Sequence, residues 1–275
     1  MPENQPDYIL QTVDLTRCFG KQIAVNKVSL NIPNGDFVSI IGPNGAGKTT
    51  FFNLITGALK PDSGSIFFKH QDITGLKEYK RTLMGMARCF QIANVFPSIS
   101  VLENVRLSVQ AKSPYKYKLF QKSEKFSKLT QYAHYCLEMV QLSNQKDTIA
   151  RNLTHPDQRK LEIAIQLASQ ADLMLLDEPT SGMSAEEVPT IVDVIKGIRK
   201  KEQKTIIMVE HKLHLVLSLS DRIAVMNYGS LIAEGSPEEI RNNQDVQDAY
   251  LGRRGAHESS GNAGCPYSYP GVSYP

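Results

Sequence analysis

The sequence predicts an α/β fold, a mostly parallel sheet with helices on both faces. Three observations lead there. Short apolar runs rich in β-branched residues recur along the chain, helical stretches separate them, and the run Phe37–Ile41 ends in the glycine-rich string GPNGAGKTT. Strands that alternate with helices pack as a parallel sheet covered on both sides, because each crossover lays a helix on a face.

Taken in order, residues 23–32 alternate partly between apolar and polar, and Phe37–Ile41 suits a buried strand. FFNLITGAL after the glycine-rich string suits a helix, and residues 65–69 suit another strand. From 76 to about 141 the pattern is mostly helical with a lysine-rich interruption, too long for a connection and expected to form its own lobe. LTHPDQRK at 153–160 admits two readings. Pro156 favours the first turn of a helix, where its missing N–H goes unmissed, or it marks a phosphate-contacting loop that has lost a donor. Residues 173–176 are a compact apolar strand ending in Asp177 and Glu178. Residues 184–201 read as a helix with Ser184 and Glu187 at capping-box spacing, which Pro189 must bend or delay. Residues 205–209 and 223–226 are two more buried-type strands, and SPEE at 236–239 offers a serine cap, a proline at the first helical position and a glutamate at the third. The Gly, Ser, Pro and Tyr-rich tail, 253–275, has no apolar periodicity and is expected to be disordered.

The length of 275 residues permits one large domain, or a domain with a smaller lobe, and a hydrophobic fraction of 41% supports a core. No uncharged apolar run reaches the length of a membrane span, and MPENQPDYIL lacks the basic and apolar regions of a secretory signal. The expected location is the cytosol, unless a partner holds the chain at a membrane. A net charge of +3 is too small to argue for nucleic acid. Cysteines 18, 89, 136 and 265 show neither metal-like spacing nor a disulfide framework, so isolated thiols are expected. Lys112, Lys116, Lys118, Lys122, Lys125 and Lys128 face only Glu124 in their stretch, a solvated helix face or a contact for anionic lipid.

The string from Gly42 to Thr49 matches G-x-x-x-x-G-K-[ST] and stands after a strand and before a helix, where successive backbone N–H groups form a nest for phosphate oxygens. Gly42, Gly45 and Gly47 permit the close turn, with Pro43, Asn44 and Ala46 completing it. Lys48 is expected to reach the β- and γ-phosphates, Thr49 to ligate Mg²⁺ and Thr50 to bond the α-phosphate. Asp177 can hold the hydrated metal and Glu178 can polarise a water. Two acids ending a strand also suit a solvated turn, but the upstream phosphate loop argues for the metal. ATP is favoured over GTP because no N-K-x-D element appears, the nearest string being Asn26-Lys27-Val28-Ser29.

With these motifs in this order, the chain from about residue 8 to 252 resembles the ATP-binding subunits of ATP-binding cassette transporters. The resemblance rests on Phe19, the loop at 42–50, Gln91 in ARCFQ, LTHPDQRKLEIA, LMLLDEP and His211 in VEHK. It implies a P-loop NTPase core with an added antiparallel β subdomain and a helical lobe inserted at about 92–166, the whole forming one nucleotide-binding domain over 1–252. It also implies roles: Phe19 stacks on adenine, Gln91 contacts metal and water, His211 touches the γ-phosphate. Thr154, His155, Pro156, Asp157 and Gln158 are the signature facing the nucleotide of a second cassette. Catalysis then falls to Glu178, His211 and Gln91, and the metal to Thr49, Gln91 and Asp177.

ARCFQIANVFPSISVLENV, the stretch MVEHKLHLVLSLSDRIAVMNYGSLIAEGSPEEI and the closing DAYLG are similar to the branched-chain amino acid importers and their urea or amide relatives. That subgroup implies two permease subunits, a second cassette and, indirectly, an extracytoplasmic solute-binding protein, with the chain peripheral on the cytoplasmic face of the inner membrane. The alternatives are a lipopolysaccharide-exporter type of cassette, or a non-transport cassette of the DNA-repair or translation class. The family signature is commonly L-S-x-G-[EDQ]-Q, whereas Thr154 and Pro156 stand here at the Ser and Gly positions, and Ser184 stands where Asp or Asn is frequent. These departures lead to the expectation of an asymmetric heterodimer, a homodimer being the alternative.

Overall fold

The structure, a computed structural model, describes residues 7–88, 95–112 and 123–251. Gln91, most of the lysine-rich stretch and the tail at 253–275 lie outside the described residues. The chain begins with β1 (Tyr8–Phe19), β2 (Gln22–Pro33), β3 (Phe37–Ile41), α1 (Lys48–Thr56), β4 (Ser63–Phe68) and β5 (Gln71–Asp72). It continues through α2 (Glu78–Met84), β6 (Met86–Arg88), α3 (Val101–Lys112), α4 (Ser123–Met139), α5 (His155–Ala168) and β7 (Leu173–Asp177). It ends with α6 (Val188–Glu202), β8 (Thr205–Val209), α7 (Leu213–Leu219), β9 (Arg222–Asn227), β10 (Ser230–Gly235), α8 (Pro237–Asn242) and α9 (Gln244–Leu251).

Two compact units share this chain. The first joins Met1–Glu78 to His211–Pro275. In it a four-stranded antiparallel sheet has the order β2-β1-β4-β5. Beside that arrangement of early strands, β3 runs parallel to β9, and β10 pairs antiparallel with β9. The second unit, Tyr79–Glu210, holds β6, β7 and β8 as parallel neighbours, with α3, α4 and α5 between β6 and β7. The α/β class with parallel pairing is therefore observed.

Every residue of β3, β7 and β8 is buried, which is why these strands read as unbroken apolar runs and not as alternations. Among their few polar residues, Ser39 in β3 shares a 2.6 Å hydrogen bond with Ser220. In α6, Val188, Ile191, Val192, Ile195 and Ile198 are buried, the i, i+3, i+4, i+7 stripe of a helix packed on one side.

Proline placement decides where two helices begin. Pro189 lies in the first turn of α6, so the helix starts at Val188 and not at Ser184. Only half of the expected capping box forms: the Glu187 carboxylate accepts from Ser184 N–H at 2.9 Å, and no side-chain hydrogen bond caps α6. In α8 the box is complete, with Ser236 and Glu239 bonded reciprocally and Pro237 in the first turn.

Three strands escape a reading by periodicity. β1 carries register shifts around Asp14, whose φ is +46°, and buries Thr12 and Thr16 among its apolar residues. Thr12 remains satisfied by donating to Val28 O at 3.1 Å and accepting from Leu30 N at 3.0 Å. β6 is only three residues long, and β10 is half-buried along most of its length, so neither alternates cleanly. Cys18 is disulfide-bonded, against the expectation of isolated thiols. Cys136 is free, and burial pushes its thiol up to about 12. Among the described residues no helix is long and apolar enough to cross a membrane.

Candidate functional site

In the first unit, the buried strand β3 delivers the chain to a loop that only glycine can build at two points. Gly42 and Gly47 have φ of +152° and +94°, and a Cβ on them would come within 2.1 Å of Met226 O and 2.2 Å of Ala24 O. The backbone of β2 and of the β9–β10 hairpin thus presses on the loop from outside. Gly229 N–H donates to Ala46 O at 3.0 Å, and Gly229 O accepts from Asn26 N–H at 2.8 Å.

Helix α1 follows with Gly47 as its N-cap, no capping side chain and no acid in its first turn. Its leading N–H groups and the positive end of its dipole are therefore left to an anion. Lys48 is 5% exposed, and its ammonium arches back to Gly42 O at 2.8 Å and Pro43 O at 2.9 Å. Asn44, Gly45 and Thr49 are exposed, Pro43 and Thr50 half-buried, and Ala46 buried.

At the end of β1, the Phe19 ring is 47% exposed with the Arg17 guanidinium 5.0 Å from its centroid. Asp62 fixes this strand end, accepting from Arg17 at 2.8 Å and from Cys18 N–H at 2.7 Å. The result is a flat aromatic face held toward solvent. His211, after β8, is also exposed.

In the second unit, β7 carries Asp177 into a nearly dry position, 2% exposed. Arg88 reaches its Oδ2 at 3.4 Å, while Oδ1 is buried with no hydrogen-bond partner among the described residues. Burial raises the Asp177 carboxyl above its ordinary value, and the Arg88 charge opposes that shift. A buried acceptor left without a donor is costly, and a metal-bound water is the kind of group that satisfies it. Asp177 thus fits the metal role expected of it.

Glu178 holds a left-handed backbone, φ +48°, with its N–H on Val209 O at 2.9 Å and its carbonyl accepting from Ser181 N–H at 3.0 Å. A non-glycine residue in that region persists only where its surroundings impose it, and such residues cluster at functional sites.

The signature stretch also lies in this unit, at the start of α5. Thr154 is the N-cap: its hydroxyl accepts from Asp157 N–H at 3.4 Å and donates to Asp157 Oδ2 at 3.0 Å. Pro156 sits in the first turn, so the helix-start reading of LTHPDQRK holds. At Asp157 burial pushes the carboxyl up. Hydrogen bonds from Gln145 at 2.8 Å, from Thr154 and from Lys160 at 3.2 Å outweigh that effect and hold it below its ordinary value. Gln158 donates to Leu153 O at 3.2 Å, and exposed His155 lies against Gly182.

The structure thus brings Gly42–Thr50 residues together in one unit and Asp177 with Glu178 in the other. It also adds two residues that the sequence reading passed over. Arg88 contacts Asp177, and buried Glu210 accepts from Thr180. Each is a charge at the end of a short apolar run, a signal visible in MAR and IIMVE.

Comparisons with known proteins agree with this geometry. The family description "ABC transporter" matches residues 25–181, more than half of the chain, and "Branched-chain amino acid ATP-binding cassette transporter" matches residues 230–256. The high-affinity branched-chain amino acid transport ATP-binding protein LivG of Salmonella typhimurium is 41% identical over 241 residues, spanning 85% of this chain and 94% of its own. BraF of Pseudomonas aeruginosa, of the same description, is 37% identical over 251 residues, spanning 89% and 98%. The ADP conformation of MJ1267, an ATP-binding cassette of an ABC transporter, superposes with a TM-score of 0.77 at 30% identity, over 89% of this chain and 99% of that one. The chain belongs to the ABC transporter family and is one of its ATP-hydrolysing, nucleotide-binding cassettes.

Proposed function

We propose that the chain energises uptake of branched-chain amino acids, as one of two cassettes bound to a pair of permeases on the cytoplasmic face of the inner membrane. The observation that carries this reading is the match of residues 230–256 to the branched-chain cassettes, together with likeness to LivG and BraF along most of the chain. The nucleotide-binding domain is assigned to 1–252, with a helical lobe at about 92–166.

In this reading Phe19 stacks on adenine, and the amides from Gly42 to Thr50 receive the phosphates. Lys48 transfers its ammonium from the Gly42 and Pro43 carbonyls to the β- and γ-phosphates. Thr49, Gln91 and Asp177 would hold magnesium, which would neutralise phosphate charge when bound. Glu178 polarises the attacking water, and His211 contacts the γ-phosphate. Closure of two cassettes head-to-tail sets residues 154–158 against the other subunit's nucleotide.

There Thr154 must exchange its Asp157 contact for phosphate, and Pro156 has no N–H to give. A hydrogen bond to a charged group contributes about 1.5–3 kcal/mol, equivalent to roughly tenfold to a hundredfold in rate. The site using this chain's signature is therefore weak, whereas the nucleotide site built on its phosphate loop is competent if the partner carries an intact signature, which favours a heterodimer.

Purification from the native host tests the assembly, and the expected complex has two permeases and a second cassette. Reconstituted with its solute-binding protein, that complex should hydrolyse ATP faster when leucine, isoleucine or valine is present. An intact complex stimulated by none of the three would refute the assigned solute.

A further inference from the structure

We infer that Glu210 is a positioning residue for ATP hydrolysis, holding the turn that carries Glu178 by accepting both hydrogen bonds that Thr180 donates. Glu210 ends the second unit after β8 and is 3% exposed, and Thr180 is buried as well. Thr180 N–H donates to Glu210 Oε1 at 3.3 Å, and the Thr180 hydroxyl donates to the same oxygen. Two residues earlier, Glu178 N–H donates to Val209 O at 2.9 Å. The turn from 178 to 181 is therefore tied at two successive points to residues 209 and 210, once through backbone and once through a carboxylate.

Two physical facts give the second tie its significance. Glu178 is in the left-handed region, which a side-chain-bearing residue leaves unless held. A buried carboxylate is unfavourable unless donors reach it, so packing alone would select an apolar residue at 210. What Glu provides there, and Val or Ile would not, is a directional acceptor aimed at the turn. The next residue in sequence is His211, so the chain segment that steadies Glu178 continues directly into the residue assigned to the γ-phosphate.

The inference rests on the reading of Glu178 as the residue that polarises water, and Glu178→Gln tests that reading separately in the same preparation. In the full-length chain, purified with the subunits it carries, Glu210→Ala should lower kcat about tenfold to a hundredfold, the scale on which a misplaced catalytic group acts. The KM for ATP should stay within about twofold, as expected when an interaction made only in the transition state is lost. Glu210→Gln keeps a carbonyl oxygen as acceptor and should recover most of the loss. Thr180→Val, which removes only the hydroxyl, should lower kcat in the same direction and covers the case in which Glu210→Ala does not fold.

Unchanged kcat in Glu210→Ala, or in Thr180→Val where that variant stands in for it, would overturn the inference. So would a parallel loss of kcat, ATP affinity and melting temperature that Glu210→Gln fails to relieve. If Glu178→Gln itself leaves turnover intact, the reading of Glu178 fails and the inference falls with it.

Discussion

Pro156 has two separable consequences at one residue: it begins α5 well, and it presents no N–H beyond it. Pro156→Gly should therefore raise ATP turnover of the assembled complex, by up to about tenfold to a hundredfold, at a modest cost in stability from the added backbone freedom. Glu178→Gln should abolish turnover while ATP still binds. Steady-state ATPase assays on both variants check this, and unchanged turnover in Pro156→Gly sinks the weak-site reading. A second residue gives a pH prediction. Glu162 is largely buried, and burial raises its carboxyl above the usual value against the opposing pull of Arg159, which bonds it at 2.8 Å. The fold therefore prefers the neutral acid. The stability this contributes is complete below the unfolded value, about 4.3, and is lost as pH rises through the higher folded value. Relative to the native chain, Glu162→Gln should gain stability between about pH 4 and about pH 7. Denaturant titrations at both values check it, and a pH-independent difference refutes it. The residue chemistry most legible in the sequence was local: the phosphate loop and the two acids at the end of β7 were read from strings of a few residues. Arg88 and Glu210 were passed over because their partners lie 89 and 30 positions away.

At the scale of elements, legibility followed burial. β3, β7 and β8 are buried throughout and stand out as apolar runs, and the caps and prolines of α5 and α8 mark their own starts. β1 was hidden because its bulges interrupt the two-residue period and its buried threonines imitate surface positions. α6 began later than its serine suggested because proline confined the first turn. The α8 cap is remote in sequence from the phosphate loop and offers a control. Ser236→Ala removes one side-chain acceptor from a helix start and should cost about 1 kcal/mol. The KM for ATP should not move. Thermal unfolding and ATPase kinetics on one preparation separate the two effects, and a raised KM would contradict this assignment.

For the whole molecule, the sequence showed a nucleotide-binding α/β chain, and the structure resolves it into two units, the first of them discontinuous. The resemblance implied an inserted lobe at about 92–166, but periodicity alone gave no sign of the discontinuity, because the segments which close the first unit, including β9 and β10, follow the whole of the second. Their pairing is non-local and leaves no trace in periodicity. Calorimetry on the full chain should give a magnesium-dependent heat with ATP, and Lys48→Ala should reduce it strongly. Equal heats from the two proteins would count against the phosphate loop as the site. The hairpin between β9 and β10 supplies its own readout of that loop. The single proton shared between Gly229 and Ala46 can leave for deuterium only when the two segments part. Its exchange rate is therefore a clock for how often the glycine-rich bend lets go of its support, readable without catalysis, and ATP should slow it.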